Sequence, residues 1–160
     1  MNIKDNRILI AIVVFLGWLI INVGMSRLLF AAPGQSVTDI LTRGVSPVLA
    51  SSVLFLLAAT WFFGWHDIGL NAPVSARSLL VLWLPAIFIL FMIVGMALLG
   101  LPPIHATVFI LINTLLVGIS EEVMFRGILF QALRSRLSIW PSIGITSLLF
   151  GAIHFLNIGW

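Results

Sequence analysis

The chain has 160 residues, of which 61% are hydrophobic and 8% charged, with a mean hydropathy of +1.22. A soluble domain carries roughly 45–50% apolar and about 25% charged residues, so the composition excludes a water-soluble core and points to a polytopic membrane protein. The formal charge is only +3, and the basic residues sit mostly at the ends of apolar runs, which fits membrane flanks and provides no face for nucleic acid.

Cysteine is absent, so neither disulfides nor thiolate chemistry enter. Lipid offers the backbone no hydrogen-bond partner, so long apolar runs here are helices. The expected fold is all-α: one membrane domain over 1–160 with about five transmembrane helices, roughly 8–31, 48–65, 77–100, 104–134 and 141–160.

Lys4 and Arg7 precede the first apolar run, Ile8 to Met25. It exceeds the roughly 7–15-residue apolar region of a signal peptide, and Arg27 followed by Leu28-Leu29-Phe30 makes a poor cleavage site. The run is therefore expected to stay as the first transmembrane helix, with Asn22 packing through a side-chain hydrogen bond. Pro33-Gly34 breaks it, and the loop from Ala32 to Pro47 holds a short interfacial helix over Ser36–Arg43. The second helix closes on Trp61-Phe62-Phe63-Gly64-Trp65, an interfacial aromatic belt. His66 and Asp67 follow; adjacent residues rarely converge on one ion, so they read as polar residues at a helix exit.

Gly69, Asn71 and Pro73 mark the next loop. Pro85 lies inside the third helix and is expected to kink it. Leu101-Pro102-Pro103 ends that helix, and His105 just beyond reads as interfacial. The fourth run, from Ile104 to about Leu133, spans roughly 45 Å at about 1.5 Å per residue, against a hydrocarbon core of about 30 Å, so tilt or a break near Gly118 is expected. Arg134-Ser135-Arg136 ends it, and Trp140-Pro141 opens the fifth helix, where proline costs nothing. With the N-terminus cytoplasmic, Lys4, Arg7, Arg77, Arg134 and Arg136 lie inside and only Arg27 and Arg43 outside, which sets the expected orientation.

Glu121 and Glu122 are the only glutamates, and they sit within the fourth apolar run. Ionisable groups at membrane depth are costly and default to functional candidates. Glu121 lies thirteen residues before Arg134, and His154 thirteen after Pro141. At about 1.5 Å per residue both are roughly 20 Å from the shared turn, so antiparallel helices bring them to one depth. Glu122 and Arg126 are i,i+4 with the acid first, the order that favours an ion pair. Glu121 is rotated about 100° from Glu122 and can face another partner. Phe150 and His154 are also i,i+4, and Gly144, Ser147 and Gly151 form a small-residue stripe that would let helices approach closely. Ser120 is expected to bond its own backbone and not to act as a nucleophile.

Three readings of this cluster stay open on the residues themselves. Glu122–Arg126 could be a buried fold-specifying ion pair with His154 a satisfied core histidine. Glu121 and His154 could form a proton or ion relay of a transporter. A desolvated carboxylate beside an imidazole could instead activate a water molecule.

Glu121-Glu122-Val123-Met124-Phe125-Arg126-Gly127 reads as EExxFRG, and Phe150-Gly151-Ala152-Ile153-His154 as FxxxH. Together, on consecutive helices, they resemble the CPBP family of intramembrane proteases, which includes CAAX prenyl endopeptidases and bacteriocin-processing and immunity proteins. The motif-bearing resemblance covers about 107–157. It implies an intramembrane endopeptidase in which Glu121 activates water with help from His154, Glu122 and Arg126 order the site, and Phe150 and Gly151 pack the motif helix. It leaves open a metalloprotease with zinc on Glu121 and His154, or a glutamate-type enzyme without metal. Two such ligands fall short of the three protein ligands of a catalytic zinc site. The implied partners are the lipid bilayer and a membrane-associated peptide or protein substrate, with no nucleic acid; the implied location is a bacterial plasma membrane.

The family pattern carries a further HxxxN or HxxxD motif on a later helix. Asn157 does not supply it, and His66 and His105 lie upstream. The expectation is a chain missing the C-terminal part of the family domain and impaired in activity. A non-catalytic immunity or binding protein on the same scaffold is the alternative.

Overall fold

The computed structural model describes residues 6–25, 28, 45–66, 68, 75–100 and 103–157. They form helices and turns, with no strand among them. Helix α1 (Arg7–Leu19) runs on into a π-helical turn, Ile20–Met25. Helix α2 spans Val45–Phe62. A 3-10 stretch, Ala76–Leu82, leads into α3 (Trp83–Leu99). The long fourth rod is α4 (Ile104–Glu121), a π-helical segment (Glu122–Leu129) and α5 (Phe130–Arg134). Helix α6 covers Ile139–Asn157. The expected interfacial helix over Ser36–Arg43 lies outside the described residues, as do Lys4, Asp67, Gly69, Asn71 and Pro73.

The all-α membrane architecture expected from the composition is the one observed. Three stretches are long and apolar enough to cross a membrane: Arg7–Met25, Ala76–Leu98 and Ile104–Arg134. Pro47–Phe62 and Ile139–Phe155 are apolar but shorter. Pro85 lies inside the helical run Ala76–Leu98, at the third residue of α3, just past the point where the 3-10 stretch gives way to α-helix; there it removes one backbone donor. The fourth rod does not break at Gly118; its irregularity starts at Glu122, where the backbone turns π-helical.

The core lies where α1, α2 and the π-helical segment meet. Helix α1 contributes Ala11, Val14 and Trp18, spaced three and four apart on one face. Leu56 comes from α2, and Val123, Met124, Phe125, Ile128 and Leu129 from the π-helical segment. Leu9, Ile12, Val13 and Leu16 on the other side of α1 stay uncovered, as lipid-facing residues do. Helix α2 also packs along α4. Helix α3 is apolar all round and none of its window is buried within the chain, the pattern of a helix solvated by lipid.

Helix α2 stops through backbone geometry. Gly64 adopts φ +64°, Trp65 N–H donates to Thr60 O at 2.9 Å, and Gly64 N–H donates to Trp61 O at 3.1 Å. This is the Schellman closure, which satisfies the last helix carbonyls. It turns Trp65 into the core, where the Arg7 guanidinium lies 5.2 Å from its ring centroid. The start of α1 is thereby held beside the end of α2. A side chain at Gly64 must enter the left-handed region at a cost of roughly 1–2 kcal/mol. Gly64→Ala should therefore lower unfolding stability by about that much in mixed micelles, and Gly64→Asn by less.

Candidate active site

The two motif helices meet through a short turn. Ser135 to Ser138 link α5 to α6, and the Arg134 guanidinium donates to Leu137 O at 3.0 Å. Pro141 is the third residue of α6, inside its first turn, as the Trp-Pro signal implied. The antiparallel pairing then sets Glu121 beside His154: Oε1 of Glu121 lies 3.5 Å from Nε2 of His154. The equal-depth expectation is thus met as a contact.

The other ring nitrogen explains how the imidazole is aimed. Nδ1 of His154 lies 2.9 Å from the Phe150 carbonyl oxygen. A carbonyl only accepts, so Nδ1 carries the hydrogen, and in the neutral ring the Nε2 lone pair faces Glu121. The 3.5 Å separation exceeds the 2.7–3.2 Å range typical of a direct hydrogen bond. Two acceptors therefore converge on one point, which suits a shared proton or a bridging water.

The motif phenylalanines hold this geometry. Phe150 stacks on His154 at 4.3 Å between centroids, tilted by 36°. Phe125 meets Phe150 edge to face at 5.0 Å and 87°. The F of EExxFRG thus touches the F of FxxxH, and the contact joins the two motif helices.

Glu122 and Arg126 form the expected i,i+4 pair at 3.1 Å. It is not buried: their side chains are 52% and 79% exposed. Nor is His154 a core histidine, since its side chain is half exposed. The reading as a buried structural pair with a satisfied core histidine is therefore not what the fold contains. The π-helical segment carries Val123 to Phe125 and Gly127 to Leu129 inward and leaves Glu122 and Arg126 outside. With water in the cleft, such a pair contributes roughly 0.2–1 kcal/mol, so Glu122→Gln should shift the unfolding free energy by less than about 1 kcal/mol, read from denaturant titration in micelles.

Both glutamates line a cavity of about 720 Å³ between the fourth rod and α6. Arg126, Gln131, Thr146 and Ser147 add polar groups, and Ile68 supplies an apolar wall. Ile68 also packs on Gly127, where a Cβ would lie 3.0 Å from the Ile68 carbonyl oxygen. The glycine of EExxFRG is therefore a point of close approach.

Two expectations about packing change. Ser120 does not turn to its own helix; its hydroxyl accepts from the Trp18 indole N–H at 2.7 Å, across 102 positions of sequence. Among the described residues Gly144 and Gly151 do not mediate close packing, because a Cβ on either meets nothing there within 4 Å. The inward face of α6 carries Ser142, Thr146, Leu149 and Ile153 instead. Spacing showed that Gly144, Ser147 and Gly151 share a face, but not which way that face points. Asn22 donates to Trp18 O at 2.8 Å, within its own helix and not across to another.

Residues that the sequence reading missed are Trp18, Phe15 and Ile68. The first two pack edge-on against Phe125, at 5.8 and 6.1 Å. No sequence signal singles them out among the many apolar residues around them.

His105 sits exposed in the first turn of α4 and His66 in the turn after α2, both apart from the cleft. No group of three or more His, Cys, Asp or Glu side chains that could hold a metal gathers among the described residues. Glu121 and His154 supply two donors, one fewer than a catalytic zinc shell, so this donor set does not by itself fit zinc.

No curated protein and no solved structure matches the chain. Residues 103–160 match the family model described as Rce1-like, type II CAAX prenyl endopeptidase Rce1-like. That segment holds the Glu121–His154 contact and both motifs, so the resemblance to CAAX-type intramembrane proteases is borne out over this part of the chain.

Proposed function

We propose that the chain carries the water-activating residues of an intramembrane endopeptidase site. The observation that carries this reading is the convergence of Glu121 Oε1 and His154 Nε2, 3.5 Å apart, beside a cavity lined in part by the apolar span Ile104–Arg134. A water at ordinary hydrogen-bond distance from both would donate one hydrogen to each acceptor, leaving its oxygen lone pair for attack.

As that oxygen bonds to the scissile carbonyl carbon, Glu121 takes the proton and the carbonyl oxygen becomes an oxyanion. Collapse breaks the C–N bond, and the proton held by Glu121 passes to the leaving amine, which restores the carboxylate. His154 orients the water, its ring held by the bond to the Phe150 carbonyl and by the Phe150 face. Glu122 and Arg126 line the cleft, and their pairing leaves Glu121 facing the histidine and not the arginine. No step is assigned to a metal ion.

The family description directs the substrate test to a prenylated C-terminal peptide. The purified chain in liposomes is incubated with a fluorogenic prenylated peptide and, separately, with an unprenylated leader-type peptide. Hydrolysis of the first, lost on His154→Ala, supports the reading. Hydrolysis of neither peptide, with the protein folded, sinks it.

A further inference from the structure

We infer that Trp18, on the first helix, is a positioning residue for the Glu121–His154 pair. It belongs to α1, outside the segment that matches the protease family, and nothing in either motif refers to it. Yet it touches the fourth rod at two points, one beside Glu121 and one at the phenylalanine that reaches α6. Its indole N–H donates to Ser120 Oγ at 2.7 Å, and Ser120 adjoins Glu121 where the α-helix gives way to the π-helical segment. Its ring meets Phe125 edge-on at 5.8 Å, Phe125 meets Phe150 at 5.0 Å, and Phe150 stacks on His154 at 4.3 Å. The contacts close a circuit: Trp18 to Ser120 and Glu121 on one side, Trp18 to Phe125, Phe150 and His154 on the other.

Burial makes the tie costly to break. Trp18 is 5% exposed and Ser120 2%. An indole N–H stripped of its partner in an apolar interior has no water to turn to. The Asn22 side chain bonds the Trp18 carbonyl at 2.8 Å, at the point where α1 passes into its own π-helical turn, and so braces the residue from behind. The consequence is that helix α1 sets the separation of carboxylate and imidazole. Only the importance of that separation for turnover rests on the proposed function; the separation itself can be read without any substrate.

The test uses the full chain, with 15N-labelled histidine, in lipid nanodiscs. The ring signals of His154 are assigned by their loss in His154→Gln. Trp18→Phe keeps an aromatic edge on Phe125 and removes only the donor; Ser120→Ala removes the acceptor. Each is expected to move the His154 ring nitrogen signals, and the double variant to move them no further than either single change, as for two ends of one bond. The His66 and His105 signals stay in place. Unmoved His154 signals in both single variants, additive shifts in the double, or equal movement of all three histidines would each overturn the inference. If Trp18→Phe does not fold, Ser120→Ala carries the test alone, since it deletes a single oxygen. Where the wild-type chain cleaves peptide, Trp18→Phe should lower kcat by up to about a hundredfold with KM unchanged, the scale of a roughly 1 Å misplacement. His154 shifts in a chain that cleaves nothing would sink the protease reading and leave the positioning role standing.

Discussion

Glu121→Gln is expected to reduce peptide hydrolysis by about 10²–10⁴-fold, the usual contribution of a positioned general base. The substitution keeps size and shape and removes the proton-accepting charge. Glu121 has His154 as its ionisable neighbour, at 3.5 Å, so the change should leave folding intact. Glu122→Gln is the matched control. It alters the same kind of side chain one position along, but that carboxylate is occupied by Arg126 at 3.1 Å. Its effect on turnover should be small beside that of Glu121→Gln. Initial rates on the prenylated peptide in liposomes decide the matter, with helical content checked by circular dichroism. Equal losses for the two variants would assign the chemistry to the acidic pair as a unit, and the distinct role of Glu121 would be lost.

The second large effect concerns a glycine. Gly127→Ala places a methyl 3.0 Å from the Ile68 carbonyl oxygen and 3.1 Å from its Cβ. Backbone cannot rotate away as a side-chain tip can, so Ile68 or the rod must give by a few tenths of an ångström. Overpacking of this kind costs roughly 1–3 kcal/mol. Gly127→Val, with two further methyls, should fail to give a folded chain. Gly118→Ala is the contrast: it lies on the same rod, and its Cβ meets nothing within 4 Å among the described residues. In a helix that change is favourable by up to about 1 kcal/mol. Unfolding in mixed micelles should therefore show opposite signs for the two alanine variants. Because Ile68 also lines the cavity, Gly127→Ala should alter substrate affinity as well. A destabilisation shared by both variants would mean that helix propensity, and not the approach of Ile68, governs Gly127.

Residue 127 also illustrates where sequence reasoning stops. The glycine is visible in the EExxFRG run, but the reason for it lies 59 positions upstream, at Ile68. Trp18 is a sharper case, because its partner is 102 residues away. Neither contact has any periodic trace in the chain.

Other features could be counted off the sequence. Composition placed the chain in a membrane. The two thirteen-residue intervals brought Glu121 and His154 to one depth, because a helix has a fixed rise and an antiparallel pair shares its turn. The i,i+4 spacing paired Glu122 with Arg126 because residues so spaced share a helix face. These inferences hold because they depend only on regular geometry and on the cost of charge in lipid.

What the tertiary structure alone decided is which faces point inward. In water, a hydrophobic stripe reveals the buried side of a helix; in lipid, both sides can be apolar, and association rests on packing and hydrogen bonds. So the sequence identified the stripe of Gly144, Ser147 and Gly151 but not that Ser147 lines the cavity while the two glycines meet no described neighbour, and it located Glu122–Arg126 but not its exposure. The switch to π-helical backbone at Glu122 has the same origin. It turns Val123 to Phe125 onto α1 while leaving the carboxylates on the cleft, and that choice is made by the helices packed against it.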